Sequence, residues 1–255
     1  MPNTLPVALQ LYTVRDRLKD DLAGTLQAVR DIGYENVELA GLYGRSAEQF
    51  KSELDKAGLT AVSTHVGIDR IEEDLQTVVD HARLFGYRHV AIPFFPEDRR
   101  TAEGYLELAR LIDRCETSPI ATGLTFSYHN HAFEFDKLED GRRGFDILFS
   151  QPSPSSEMDV YWVARGGDNP LQWLERLSGR VPLLHMKDMA KDGDVADAGF
   201  AEVGTGRLPL EEIAFKADDH GVEHLIIEQD NGWIDGDPLK SAKISYDNLI
   251  AMMDR

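Results

Sequence analysis

Short apolar runs rich in β-branched and aromatic residues alternate with longer stretches of helical period along the chain, and this alternation constrains the fold more than any other feature. LPVALQLY is followed by LKDDLAGTLQAVRDIG, where Leu18, Leu22, Leu26 and Val29 recur every three or four residues and Gly33 supplies the stop. The same unit repeats as NVELA with SAEQFKSELDKAG, LTAVSTHV with IEEDLQTVVDHARLFG, and HVAIPFF with TAEGYLELARLIDRC. The second half is less regular. GLTFSYHNH precedes a weak helix at GFDILFS, SSEMDV precedes NPLQWLERLSG, VPLLHMKD precedes a glycine-rich loop and LPLEEIAFKADDHG, and EHLIIEQD precedes PLKSAKISYDNLIAMM.

Eight strand–helix units in 255 residues predict a single-domain (β/α)8 barrel spanning 1–255. A doubly wound open sheet is the alternative, but it would carry a glycine-rich phosphate turn after the first strand, and TVRDRLKD contains no glycine. QPSPSS is too short to be a domain linker and fits a strand–helix connection.

The net charge of −18 argues against nucleic acid as a partner, because 45 acidic against 27 basic side chains repel a phosphate backbone. The single cysteine, Cys115, allows neither an internal disulfide nor a thiolate metal cluster. With no leader-like N-terminus and no run long enough for a membrane span, a soluble cytoplasmic protein is expected.

Active sites of such barrels lie at the C-terminal ends of the strands, and metal-ligand residue types collect there. Strand five ends in His129, His131 and Glu134; strand six in Asp159; strand seven in His185, Lys187 and Asp188; strand eight in Glu228 and Asp230. Earlier strands add Gln10, Tyr12, Glu38 and His65. Imidazoles and carboxylates without thiols suit one divalent ion among Mn²⁺, Mg²⁺, Co²⁺, Fe²⁺ and Zn²⁺. Side-chain alternation puts His185 and Lys187 on one face and Met186 on the other. In YHNHAFEF, His129 and His131 point opposite to Tyr128, Asn130 and Glu134 on a regular strand. A strand ending near His131 would let the next turn swing Glu134 back over the barrel mouth. His81, His89, His220 and His224 are expected at the surface. Asp159 has a plain alternative role as a turn cap, and EVGTGR lacks the lysine of a phosphate loop, which leaves a flexible active-site loop.

Taken together, LQLYTVRD, GYENVELAG, STHVG, YHNHAFEF, MDVYWV, LLHMKD, FAEVGTGRLP and IIEQD resemble the sugar phosphate isomerase/epimerase superfamily, the xylose isomerase-like TIM barrels. The resemblance covers essentially the whole chain. It implies one divalent metal on a Glu–Asp–His–Glu set, with Asp159, His185 and Glu228 at the last three positions. Glu134 is expected at the first, with His129 or His131 as substitutes, because the usual early glutamate of strand five is replaced here by the Tyr-His-Asn-His run. It further implies isomerisation, epimerisation or dehydration of a sugar, keto-sugar or cyclitol through a metal-stabilised enediolate. Glu228 and Glu134 are then the acid/base pair, Lys187 neutralises an oxyanion, and His65 and His131 orient hydroxyls. Gln10, Tyr12, Glu38, His129 and Trp233 complete the expected substrate contacts. The strand ends show no cluster of basic residues, so the expected substrate is unphosphorylated. A non-catalytic sugar-binding barrel and an endonuclease IV-like phosphodiesterase are the competing readings; oligomeric state is open.

Overall fold

In the computed structural model, which describes residues 5–195 and 199–254, eight parallel strands close into a barrel. They are β1 (Val7–Gln10), β2 (Asn36–Leu39), β3 (Thr60–His65), β4 (His89–Ile92), β5 (Thr125–His129), β6 (Ser155–Asp159), β7 (Leu183–Met186) and β10 (His224–Ile227). Two short strands, β8 (Asp188–Met189) and β9 (Phe200–Ala201), form an antiparallel ladder inside the glycine-rich loop after β7. Around the barrel the order is β1-β10-β7-β6-β5-β4-β3-β2, so every strand is followed through a helical connection by its neighbour, as the eightfold alternation predicts.

Alternation along the strands explains both surfaces of the sheet. Leu9, Val37, Val90, Phe126, Met158, Leu184, Met186 and Leu225 face outward and pack with helix residues such as Leu26, Phe50, Leu54, Leu108 and Ile213 in one continuous core. Burying each such side chain contributes roughly 1.5–3 kcal/mol, so this layer between sheet and helices carries the apolar stabilisation. The helices begin where short polar side chains accept the free N–H groups of the first turn: Asp21 takes Gly24 N, Thr101 takes Gly104 N, and Ser46 with Gln49 forms a reciprocal capping box.

The inside of the barrel is different. Among the described residues a thin apolar layer, Ala8, Leu183 and Ile226 with Val62, crosses the lumen. A register shift between Val37 and Glu38 against β3 marks a bulge there, so that both Val62 and Ser63 reach inward. Above this layer the lumen is filled by polar side chains, where a barrel of this kind usually carries branched aliphatic ones.

Candidate metal and substrate site at the barrel mouth

Strand pairing brings the polar residues together. His129 lies beside Glu157 in the β5–β6 pair, and Asp159 lies beside His185 in the β6–β7 pair. Two groups of converging donors result, with ligand atoms within 4.8 Å of one another: His129, Asp159, His185 and Glu228, and His65, His129, Glu157 and His185. They share His129 and His185. The two groups therefore overlap.

Glu38 lies under both groups and organises them. It accepts hydrogen bonds from Ser63 Oγ and from Gln10 Nε2 at 2.6 Å, and it contacts His185 Nε2 at 2.8 Å and His65 Nε2 at 3.2 Å. Gln10, expected to touch substrate, is instead fully buried and spends its side-chain oxygen on Tyr12 N. Glu157 was not among the residues expected from sequence. It contacts His65 Nε2 at 2.6 Å, His129 Nδ1 at 3.2 Å and His185 Nε2 at 3.3 Å. The signal was available, since a residue two before Asp159 must share its face.

Lys187 is buried between three carboxylates, 2.8 Å from Glu228, 3.1 Å from Asp159 and 3.2 Å from Asp230. Burial alone would lower its pKa, but Asp159, Glu228 and Asp230 outweigh burial and hold the ammonium well above the usual lysine range. Likewise, burial opposes charge on His65, yet Glu38 and Glu157 raise it to about 10, and His185 is driven up in the same way. Burial and the Coulomb field of Glu38 push Glu157 up to about 7.

The donor chemistry fits a divalent cation. Five carboxylates (Glu38, Glu157, Asp159, Glu228 and Asp230) face one ammonium and the imidazoles of His65, His129 and His185. Buried Glu157 Oε1 has no hydrogen-bond partner among the described residues, and such an orphan is costly unless something binds it. Asp159 divides its two oxygens: Oδ1 accepts Trp162 N at 2.9 Å and starts the helix Val160–Arg165, while Oδ2 is directed to the site. The capping role and the ligand position are thus compatible on one side chain.

Glu134 corrects the expectation. β5 ends at His129, and the following turn carries Glu134 to the Tyr128 side of the strand, away from the mouth. There it is fully buried, accepting from Tyr128 Oη at 2.5 Å and from His131 N at 2.8 Å, and it belongs to neither donor group. The physical reason is the 3-10 turn Phe133–Phe135, which folds Glu134 back onto Tyr128 Oη and the His131 N–H, while His129 and His131 line the cleft. His129, the substitute, occupies the position in the donor set. Burial raises Glu134 to about 7 against the hydrogen bonds that favour its anion. A carboxyl whose folded-state pKa lies above the ordinary 4.5 stabilises the fold below the unfolded value, and this contribution is lost as pH rises through about 7. Urea midpoints should therefore fall from pH 5 to pH 8 by an amount equivalent to at most about 3 kcal/mol, and Glu134→Gln should flatten that slope; an unchanged slope in the variant would refute the assignment.

Above the donors lies a cleft of about 520 Å³ whose walls include Tyr12, His65, Phe94, His129, His131, Lys187, Glu228 and Asp230. One side is aromatic. His131 stacks on Phe133 at 5.6 Å and lies 5.2 Å from Trp162 and 5.9 Å from Phe94. Burial, then Lys187, lowers His131 to about 3, so its ring is neutral and available to hydroxyl groups. Trp233, expected in the cleft, bonds through Nε1 to Gln229 O and packs near Arg15 instead, and Trp162 is the indole beside the site.

Residues 202–208, after β9, are tied to Asp188. Asp188 turns away from Lys187 and accepts four backbone N–H groups, from Met189, Gly204, Gly206 and Leu208, at 2.7–3.1 Å. Only glycine fits at 206, where a Cβ would fall 2.2 Å from Asp188 Oδ1. EVGTGR is therefore a loop pinned at the barrel rim. His89 and His224, expected at the surface, are buried and partly buried respectively, because both project into the lumen from its opposite end.

The class defined by these features is a single (β/α)8 barrel with a polar, metal-competent mouth. No family model matches the chain, and no curated protein does. Among solved structures, a sugar phosphate isomerase/epimerase from Parabacteroides distasonis ATCC 8503 superposes with TM-score 0.80 at 22% identity over 98% of both chains. A second one from the same organism gives 0.77 at 26% identity, covering 96% of this chain and 98% of that one. The IolI protein with a bound zinc atom gives 0.71 at 12% identity over 98% of both chains. The chain thus has the fold of the sugar phosphate isomerase/epimerase and xylose isomerase-like TIM barrels. No helix among the described residues is long and apolar enough to cross a membrane.

Proposed function

We propose that this protein is a divalent-metal-dependent enzyme that isomerises, epimerises or dehydrates an unphosphorylated sugar, keto-sugar or cyclitol. The observation that carries this reading is the convergence of His129, Asp159, His185 and Glu228 directly beneath an open cleft. The likeness to the two sugar phosphate isomerase/epimerases and to zinc-bound IolI supports it. These four residues would hold the ion, which when bound supplies Lewis-acid polarisation to a carbonyl. Its identity among Mn²⁺, Mg²⁺, Co²⁺, Fe²⁺ and Zn²⁺ is left to metal analysis.

The remaining roles belong to the side chains. Lys187, kept charged by Asp159, Glu228 and Asp230, places a positive charge where an oxyanion would develop. Glu228 on one wall and His65 on the other are the groups positioned to take and return a proton, since the Glu134 of the original pairing lies outside the lumen. Neutral His131 orients a hydroxyl, and Phe94 offers apolar surface to a ring face. Among the described residues lining the cleft there is no arginine, and Lys187 is already neutralised, which supports a substrate without a phosphate.

Deuterium wash-in tests this reading. With metal restored after chelation, the enzyme should exchange a C–H next to the carbonyl of one or more keto-sugars or inososes for solvent deuterium, as seen by proton NMR. Glu228→Gln should lose that exchange. Undiminished exchange in the variant, or full activity after chelation, would exclude the proposed mechanism.

A further inference from the structure

We propose that His89, Glu223 and His224 form a second metal site, for Zn²⁺ or a similar borderline transition-metal ion, on the floor of the barrel. β4 and β10 are four places apart around the eight-stranded barrel, so they lie on opposite walls. His89 opens β4 and His224 opens β10, and their rings meet across the lumen with centroids 6.2 Å apart. Glu223 Oε2 lies 3.2 Å from His89 Nε2, and one donor atom from each of the three residues falls within 4.8 Å of the others.

The second observation is unsatisfied polarity. His89 and His224 each bury an Nδ1 with no hydrogen-bond partner among the described residues, and the His89 side chain is only 4% exposed. Two imidazoles and one carboxylate match a borderline divalent ion with a position left for water. Glu223 is 44% exposed, which opens the site to solvent. The competing cation, Arg88, is 73% exposed and only 3.4 Å from the same oxygen, so it can move aside. Ile226 and Leu183 separate this floor from the mouth. Occupied by Zn²⁺, the site would clasp opposite walls of the barrel.

The test counts Zn²⁺ bound by the full-length chain after chelation, reloading with Zn²⁺ alone and desalting. Glu223→Gln and His224→Asn should each carry one equivalent less than wild type, with a smaller Zn²⁺-induced rise in Tm and unchanged turnover. Glu223 is exposed, so its variant carries the test if His224→Asn does not fold. Adding Asp159→Asn to Glu223→Gln should remove a further equivalent, which separates this floor site from the one at the mouth. Wild-type Zn²⁺ content in Glu223→Gln overturns the proposal.

Discussion

Replacing Lys187 by methionine should destabilise the metal-free protein by about 3–5 kcal/mol, the range expected when one member of a buried ion cluster is removed. Its ammonium is the nearest cation to Glu228, Asp159 and Asp230, at 2.8–3.2 Å, and methionine would fill its volume without its charge. Three carboxylates would then share one buried region with only imidazolium ions to balance them. The loss should be measured by urea denaturation in the presence of chelator. Addition of Mn²⁺ should then raise the midpoint of the variant more than that of the parent, since the ion replaces the missing charge. A variant within about 1 kcal/mol of the parent, the range of an exposed pair, would show that the lysine is not what balances the cluster.

Asp159→Asn should separate folding from function. Asparagine keeps an oxygen to accept Trp162 N, so the helix after β6 still starts in place. What is lost is the negative charge of a carboxylate whose Oδ2 lies 3.1 Å from Lys187 Nζ and whose residue belongs to the donor group. The variant should fold with an unchanged circular dichroism spectrum, bind one metal equivalent less than the parent, and lose about 10³-fold in turnover, equivalent to about 4 kcal/mol of barrier. Retention of both the metal and the rate would remove Asp159 from the ligand set.

The barrel itself could be read from periodicity because its causes are local. Short β-branched runs, amphipathic stretches and glycine stops each act within a dozen residues, and eight repeats leave few ways to close a sheet. The site was readable in so far as it follows the same period. Asp159, His185 and Glu228 end their strands facing inward, as alternation requires, and converge with His129. Trp233 was placed in the cleft because it follows the last strand, but the loop there turns it toward Gln229 O, and Trp162 from the helix after β6 lies beside the site. Glu157 could have been found by counting back two residues from Asp159.

What the chain determines by itself is therefore the number of barrel strands and the carboxylate and imidazole composition of the strand ends, because side-chain alternation and composition are properties of short segments. Only the tertiary structure decided which carboxylate stands with His129. The turn after β5 bonds Glu134 to Tyr128 and to the His131 N–H, and whether that turn forms in place of a continued strand is not fixed by periodicity alone. The bulge that brings Ser63 and His65 to Glu38 is of the same kind, as is the meeting of His89 and His224, which are 135 residues apart in sequence, across the barrel floor. Both depend on the register in which distant strands pair, and register is set when the barrel closes.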